Sequence, residues 1–316
     1  MGESRMTKSG SAPLQHIPVM LDEAVEGLAV KAGGRYLDGT FGRGGHARAV
    51  LSRLGPDGQL LLMDRDPQAI AAARAAFADD PRVSIRHDNF SALAEWDETA
   101  AGLDGVLLDL GVSSPQLDEA ARGFSFMADA PLDMRMDPTR GESAAQFLAR
   151  ADEREIADVL WQFGEERQAR RIARAIVADR EATPFTRTGQ LAALIERIVG
   201  RREPGKHPAT RSFQALRIHV NGELDSLQRG MAAALERLHV GGRLSIISFH
   251  SLEDRAVKPF IRDHSGRVQG SRRGPPVAAA PARLAPIGKA RFPSDAEQAA
   301  NPRSRSAVLR VAEKLA

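Results

Sequence analysis

The chain has 316 residues, of which 42% are hydrophobic and 27% charged, with a formal net charge of +3 and no cysteine. This composition describes a globular chain with a sizeable core, excludes disulfides and thiolate metal sites, and contains no apolar run of the ~20 residues a membrane helix needs. Residues 1–13 have no apolar stretch of signal-peptide type, so a cytoplasmic protein without membrane association is expected. The charge is uneven: residues 262–310 hold ten Lys/Arg against three Asp/Glu. A basic segment on a near-neutral body points to an anionic partner, RNA or DNA first.

Residues 1–15 read as a polar, disordered arm, and residues 16–21 lead into a helix whose early turn holds Asp22 and Glu23. Residues 35–46, RYLDGTFGRGGH, then read as a short strand, a glycine-rich turn and the start of a helix that continues over 47–54. The helix's free N-terminal amides face the turn, a geometry suited to a nucleotide-like cofactor at the end of a first strand. The glycine order, Gly39-x-x-Gly42-x-Gly44, is not that of the dinucleotide fingerprint. With Asp38 closing the strand, it is closer to the S-adenosylmethionine loop of Rossmann-like methyltransferases, although Thr40 stands where that loop often has its first glycine.

Residues 59–64 form an apolar second strand of the kind covered on both faces. It ends in Asp64, twenty positions after Gly44, where a carboxylate can accept both hydroxyls of an adenosine ribose. That spacing serves S-adenosylmethionine and NAD equally. A helix over 68–77 and a third strand over 82–87 follow. Next come Asp88, Asn89 and Phe90 at the same sheet edge, with Phe90 placed either on an adenine ring or in the core. A fourth strand, 103–109, ends in Asp109, which faces the reacting group across the switch point and is the candidate for handling a substrate amine.

The strand–helix alternation stops there. Residues 122–138 lack a period and read as a long ordered loop. From Asp152 apolar positions recur at helical spacing through Ile198, an all-helical block of about seventy residues. Residues 201–211 form a basic loop, and 213–227 read as one helix. Residues 241–249 return to the sheet and run into His250, which is structural or catalytic. Residues 266–293 are low-complexity and expected to be mobile, with a last strand over 307–312.

Taken together, the segments His16-x-Pro-Val, Asp38-GTFGRGGH, Asp64-RDPQAI, Asp109-LGVSSPQ, the run from Arg122 through Pro138, Gly164-EER, His207-PATRSFQALRI, Ser245-IISFHSLEDR and Asn301-PRSRSAVLR resemble the MraW family of ribosomal RNA small subunit methyltransferases H. The resemblance spans nearly the whole chain. It departs only in the N-terminal arm and the stretch near 266–293. It implies an α/β fold, a Rossmann-like class I methyltransferase sheet with an inserted all-helical domain. The expected division is 1–118 and 219–316 for the methyltransferase domain, with a basic flexible loop near 265–293, and 119–218 for the insertion. It implies N4-methylation of a cytidine in the decoding region of 16S rRNA within the 30S subunit, with S-adenosylmethionine as cofactor and no metal.

The family's cofactor contacts fall on Gly44, Gly45, His46, Asp64, Phe90, Asp109 and Gln116. Of these, His46 and Gln116 come from the resemblance alone. Amino-methyltransferases commonly place an Asp/Asn-Pro-Pro-aromatic loop after the fourth strand. Here it reads Asp109-Leu-Gly-Val, so the acid remains without the prolines. Asp109 is the candidate catalytic residue, with Ser113, Ser114 and residues 124–137 shaping a base pocket. The basic loop and the Arg-rich C-terminal stretch are the candidates for holding RNA. Two other classes stay open on sequence: a dehydrogenase, against which the glycine order speaks, and a non-catalytic RNA-binding assembly factor, which would not need the acids at the strand ends.

Overall fold

A computed structural model describes residues 18–200, 207–266 and 281–316. Four parallel strands, β1 (Arg35–Asp38), β2 (Gln59–Asp64), β3 (Val83–His87) and β4 (Leu103–Asp109), precede the long helical stretch, and β5 (Leu238–Ser248), β6 (Leu284–Pro286) and β7 (Val308–Lys314) follow it. They form one sheet of order β3-β2-β1-β4-β5-β7-β6, with β7 antiparallel to both its neighbours. The order reverses between β1 and β4, so their carboxyl ends flank the crevice where open α/β sheets bind ligands.

The central strands β2 and β4 are largely apolar because both their faces are covered. Along β2, Leu60 and Leu62 enter one core while Leu61 and Met63 enter the other, as the two-residue strand period requires. The first face packs against α1 (Leu21–Leu28), α2 (Gly45–Leu51) and α3 (Pro67–Phe77). Asp66 caps α3 by accepting the Gln68 N–H at 2.9 Å. The helices α4 (Ser114–Asp118), α5 (Ala144–Arg150), α6 (Glu153–Gly164), α7 (Ala169–Asp179), α8 (Thr188–Val199) and α9 (Thr210–Asn221) lie in the connection between β4 and β5. Buried side chains from Leu132 to Leu216 form a third core of their own. The chain re-enters the sheet through α10 (Glu223–Arg237), which with α11 (Ser251–Asp263) covers the second face; α12 (Asp295–Ala300) precedes β7.

Several expectations need correction. The stretch 213–227 is not one helix: Gly222, at φ 54°, breaks it into α9 and α10. The α2 helix ends at Leu51, three residues early. The expectation of a flexible loop near 265–293 fails in part, because Leu284–Pro286 is strand β6, hydrogen-bonded to β7, where backbone pairing offsets the weak apolar content. Residues 267–280 of that stretch, residues 1–17, and residues 201–206 of the basic loop lie outside the described residues. Among the described residues no helix is long and apolar enough to cross a membrane.

Candidate functional site

The ends of β1, β2, β4 and β5 and the segment after β3 open into one cleft of about 140 Å³. Gly45, His46, Asp64, Phe90, Asp109 and Gln116 all line it. Gly44 does not. It sits at φ 73° as the residue before α2, its N–H donating to the Phe41 carbonyl at 2.7 Å, so it shapes the turn.

The turn is braced from the next strand. Asp64 accepts the Gly42 N–H at 2.8 Å on one oxygen and the Asp66 N–H at 2.8 Å on the other. The carboxylate foreseen as a ribose acceptor is therefore also the tie between the glycine turn and the start of α3. Thr40, the departure from the glycine pattern, has a use that only the fold reveals. Its hydroxyl accepts the Asp109 N–H at 2.6 Å, joining the β1 turn to the end of β4.

Three carboxyls crowd this edge. Burial, the largest influence on each, pushes Asp38 and Asp109 up to about 7 and Asp64 up to about 6. Asp38 Oδ2 and Asp109 Oδ1 are buried without a hydrogen-bond partner. His46 lies between the acids and the first helix: its Nε2 is 3.1 Å from the Val19 carbonyl, which can only accept, so Nε2 carries the proton. Nδ1 then presents a lone pair, 3.7 Å from Asp109 Oδ2. Burial pulls His46 down, so the neutral ring is favoured.

The opposite wall was not foreseen as part of the site. Glu223, Ser226, Phe249 and Glu253 line it. Glu253 accepts the Phe249 N–H at 2.6 Å and the His250 N–H at 3.2 Å on one oxygen, and its other oxygen lies 3.1 Å from His250 Nε2. His250 is thus behind the wall, against Glu253, and does not line the cleft. Glu223 is held bidentately by Arg217 at 2.9 and 2.7 Å. Glu223, His250 and Glu253 stand close enough to share an ion, but both Glu223 oxygens already face a guanidinium. The sequence signal for Glu253 was its place three residues after His250 at the start of a helix.

The β4–β5 connection closes the cleft from above. The Gln116 side chain accepts the Ser113 N–H at 3.0 Å and donates to Asp66 at 2.9 Å, so both ends of its amide hold the loop after β4 while its flank faces the cleft. Arg122 donates to the same Asp66 oxygen at 2.9 Å and to the Met136 carbonyl at 2.8 Å, deep in the protein. Ser113 and Ser114 line the cleft, but of residues 124–137 only Met136 does; Phe124, Leu132 and Met134 are buried away from it. Arg303, from the Arg-rich C-terminal stretch, reaches Ser114 at 2.6 Å and Asp118 at 2.5 Å and lines the cleft.

Phe90 and Leu227 line the cleft together with Asp64 and Asp109, two carboxyls that burial makes costly to ionise. Such a cleft suits an adenosine-like molecule that brings a positive charge. The family match agrees. The family description "MraW methylase family" matches residues 13–315. A "Ribosomal RNA small subunit methyltransferase H" of Stenotrophomonas maltophilia is 61% identical over 96% of this chain and 94% of its own length. The protein of the same name from Alcanivorax borkumensis is 59% identical over 95% and 97%. Among solved structures, an rRNA methylase from Streptococcus thermophilus aligns over 94% of both chains at 12% identity and a TM-score of 0.41.

Proposed function

This chain belongs to the MraW methylase family, and on that premise we propose that it N4-methylates a cytidine in the decoding region of 16S rRNA, acting in the cytoplasm on the assembled 30S subunit. Its cofactor is S-adenosylmethionine, which when bound supplies an electrophilic methyl group on a sulfonium. The observation that carries the reading is the convergence of Asp64, Phe90 and Asp109, from three successive strand ends, on one cleft with the glycine turn.

Cytosine N4 is a weak nucleophile because its lone pair is delocalised into the ring. The protein's task is to align the amine and to draw on one of its N–H bonds. Asp109 stands at a strand end that lines the cleft, with its side chain 22% exposed. As a carboxylate it accepts an amine N–H and localises the lone pair on nitrogen. His46 Nδ1, 3.7 Å from Asp109 Oδ2, is placed to receive a proton passing from Asp109. Asp64 and Phe90 hold the adenosine end. Alignment of this kind supplies ~7–11 kcal/mol of the barrier. No covalent intermediate is needed. The separate core of residues 132–216 supports treating 119–218 as an inserted unit that covers the base.

The test is transfer of labelled methyl to 30S subunits from cells lacking this protein, with free 16S rRNA in parallel and nucleoside mass analysis of the product. Label in N4-methylcytidine from subunits is expected. Cofactor binding without label in either substrate would favour the assembly-factor reading instead.

A further inference from the structure

Outside the cleft, one exposed aromatic sits among arginines. Trp161, near the end of α6, is 60% exposed, whereas the other tryptophan, Trp96, is 6% exposed. The α6 helix ends at Gly164, where a side chain would lie 2.6 Å from the Arg211 carbonyl, so the end of α6 is pressed against the first turn of α9. That contact sets Trp161, Arg167 and Arg211 around one groove, and α11 completes it with Leu252 and Arg255. Arg255 is paired with Glu165 across the seam between the helical block and the sheet domain. Arg167 and Arg211 make no ion pair with any described residue.

The groove and the cleft share helix α11 near its start: Glu253 lines the cleft, while Leu252 and Arg255 line the groove.

We infer that the groove formed by Trp161, Arg167, Arg211 and Arg255 is a single-stranded RNA track, in which Trp161 stacks on a base flanking the target and the arginines hold the phosphates. This rests on the RNA-methylating reading above. An indole offers a sequence-tolerant face for any base, and the guanidiniums of Arg167 and Arg211, free of ion pairs with described residues, supply the phosphate contacts such tracks require. Three arginines stand against one carboxylate, Glu165, so the groove's net charge is positive and suits a polyanion.

The test uses the full-length protein with undermethylated 30S subunits and with 16S rRNA, titrated over a salt series. Trp161→Ala should weaken binding to both by about 5- to 150-fold, the range one stacked base carries. Arg167→Gln with Arg211→Gln should flatten the slope of log affinity against log salt by about 1.4, at ~0.7 per contact on a single strand. KM for subunits should rise while cofactor affinity and kcat hold. Trp161 fluorescence should also lose its accessibility to acrylamide on RNA binding. Unchanged affinity and slope in these variants would overturn the inference. So would weakened binding confined to subunits with rRNA binding intact, which would assign the groove to a ribosomal protein. If the wild-type chain binds RNA without methylating it, the reaction fails but the groove is still judged by these binding differences.

Discussion

His46 Nδ1 and Asp109 Oδ2 face each other at 3.7 Å, one at the start of α2 and the other at the end of β4. With Nε2–H committed to the Val19 carbonyl, this nitrogen can only accept a proton while the ring is neutral. Asp109, pushed up to about 7 by burial, is the group able to exchange one with it near neutral pH. Asp109→Ala should therefore lower kcat by 10²–10³-fold or more, comparable to removing one preorganised transition-state contact. The fold should survive, since the burial cost of the Asp109 carboxyl outweighs the one backbone hydrogen bond it accepts from Gly111. Single-turnover transfer beside a thermal melt checks both halves. Normal turnover in this variant would remove Asp109 from the chemistry.

The raised acids also predict an inversion between stability and cofactor binding. Asp38 and Asp109 move from an ordinary value near 4 up to about 7, so between those pH values the folded state holds protons that the unfolded chain has lost. The ligand-free protein is thus stabilised below about pH 4, and that contribution is lost as pH rises through 7. A cation in the cleft favours the carboxylates. Affinity for S-adenosylmethionine should fall as pH drops below about 7, by up to ~10-fold per pH unit per proton taken up. S-adenosylhomocysteine, lacking the sulfonium charge, should show a flatter profile. Calorimetry of both ligands from pH 5.5 to 8 would decide; parallel profiles would refute the linkage.

Gly230 gives access to Phe90 without touching the cleft. A β-carbon on this α10 residue would fall 2.4 Å from the Phe90 ring, which lines the site. Gly230→Ala should push the ring inward, lowering cofactor affinity about tenfold and costing about 1–3 kcal/mol of stability from overpacking. Cofactor titration and urea unfolding measure the two effects. An unchanged Kd would show that Phe90 does not contact the cofactor.

Arg122 bears on stability and site together. It shares the buried Asp66 oxygen with Gln116 and fixes the Met136 carbonyl beside the cleft. Arg122→Ala leaves the Asp66 carboxylate buried with only the neutral donors Gln116 and the Gln68 N–H, at a cost of about 3–5 kcal/mol. Arg122→Lys should recover little, because one guanidinium serves several acceptors in fixed directions. Urea denaturation of the three proteins is the measurement.

Much of the site was legible in the chain because a parallel sheet leaves a strong trace. The second and fourth strands are apolar runs that each end in an acid at the one edge where ligands bind, which located Asp64 and Asp109; Phe90 was placed by following the third strand to the same edge. The glycine turn was legible for the same reason, since backbone reversal demands particular residues. Helical periodicity located the inserted block, but not its break at Gly222, because the apolar positions of α9 and α10 run on without a gap. The chain's order alone also placed the helical block between the fourth strand and the return to the sheet. Only the tertiary structure decided which distant residues share the cleft. Glu223 and Glu253 stand over a hundred positions beyond Asp109, and their approach depends on how α10 and β5 return to the sheet. It also decided that Gln116 and Arg122 converge on Asp66, and that Trp161 is exposed beside Arg211. Local sequence encodes backbone preference and burial period; which side chains meet across a seam is set by long-range packing, which leaves no local signal.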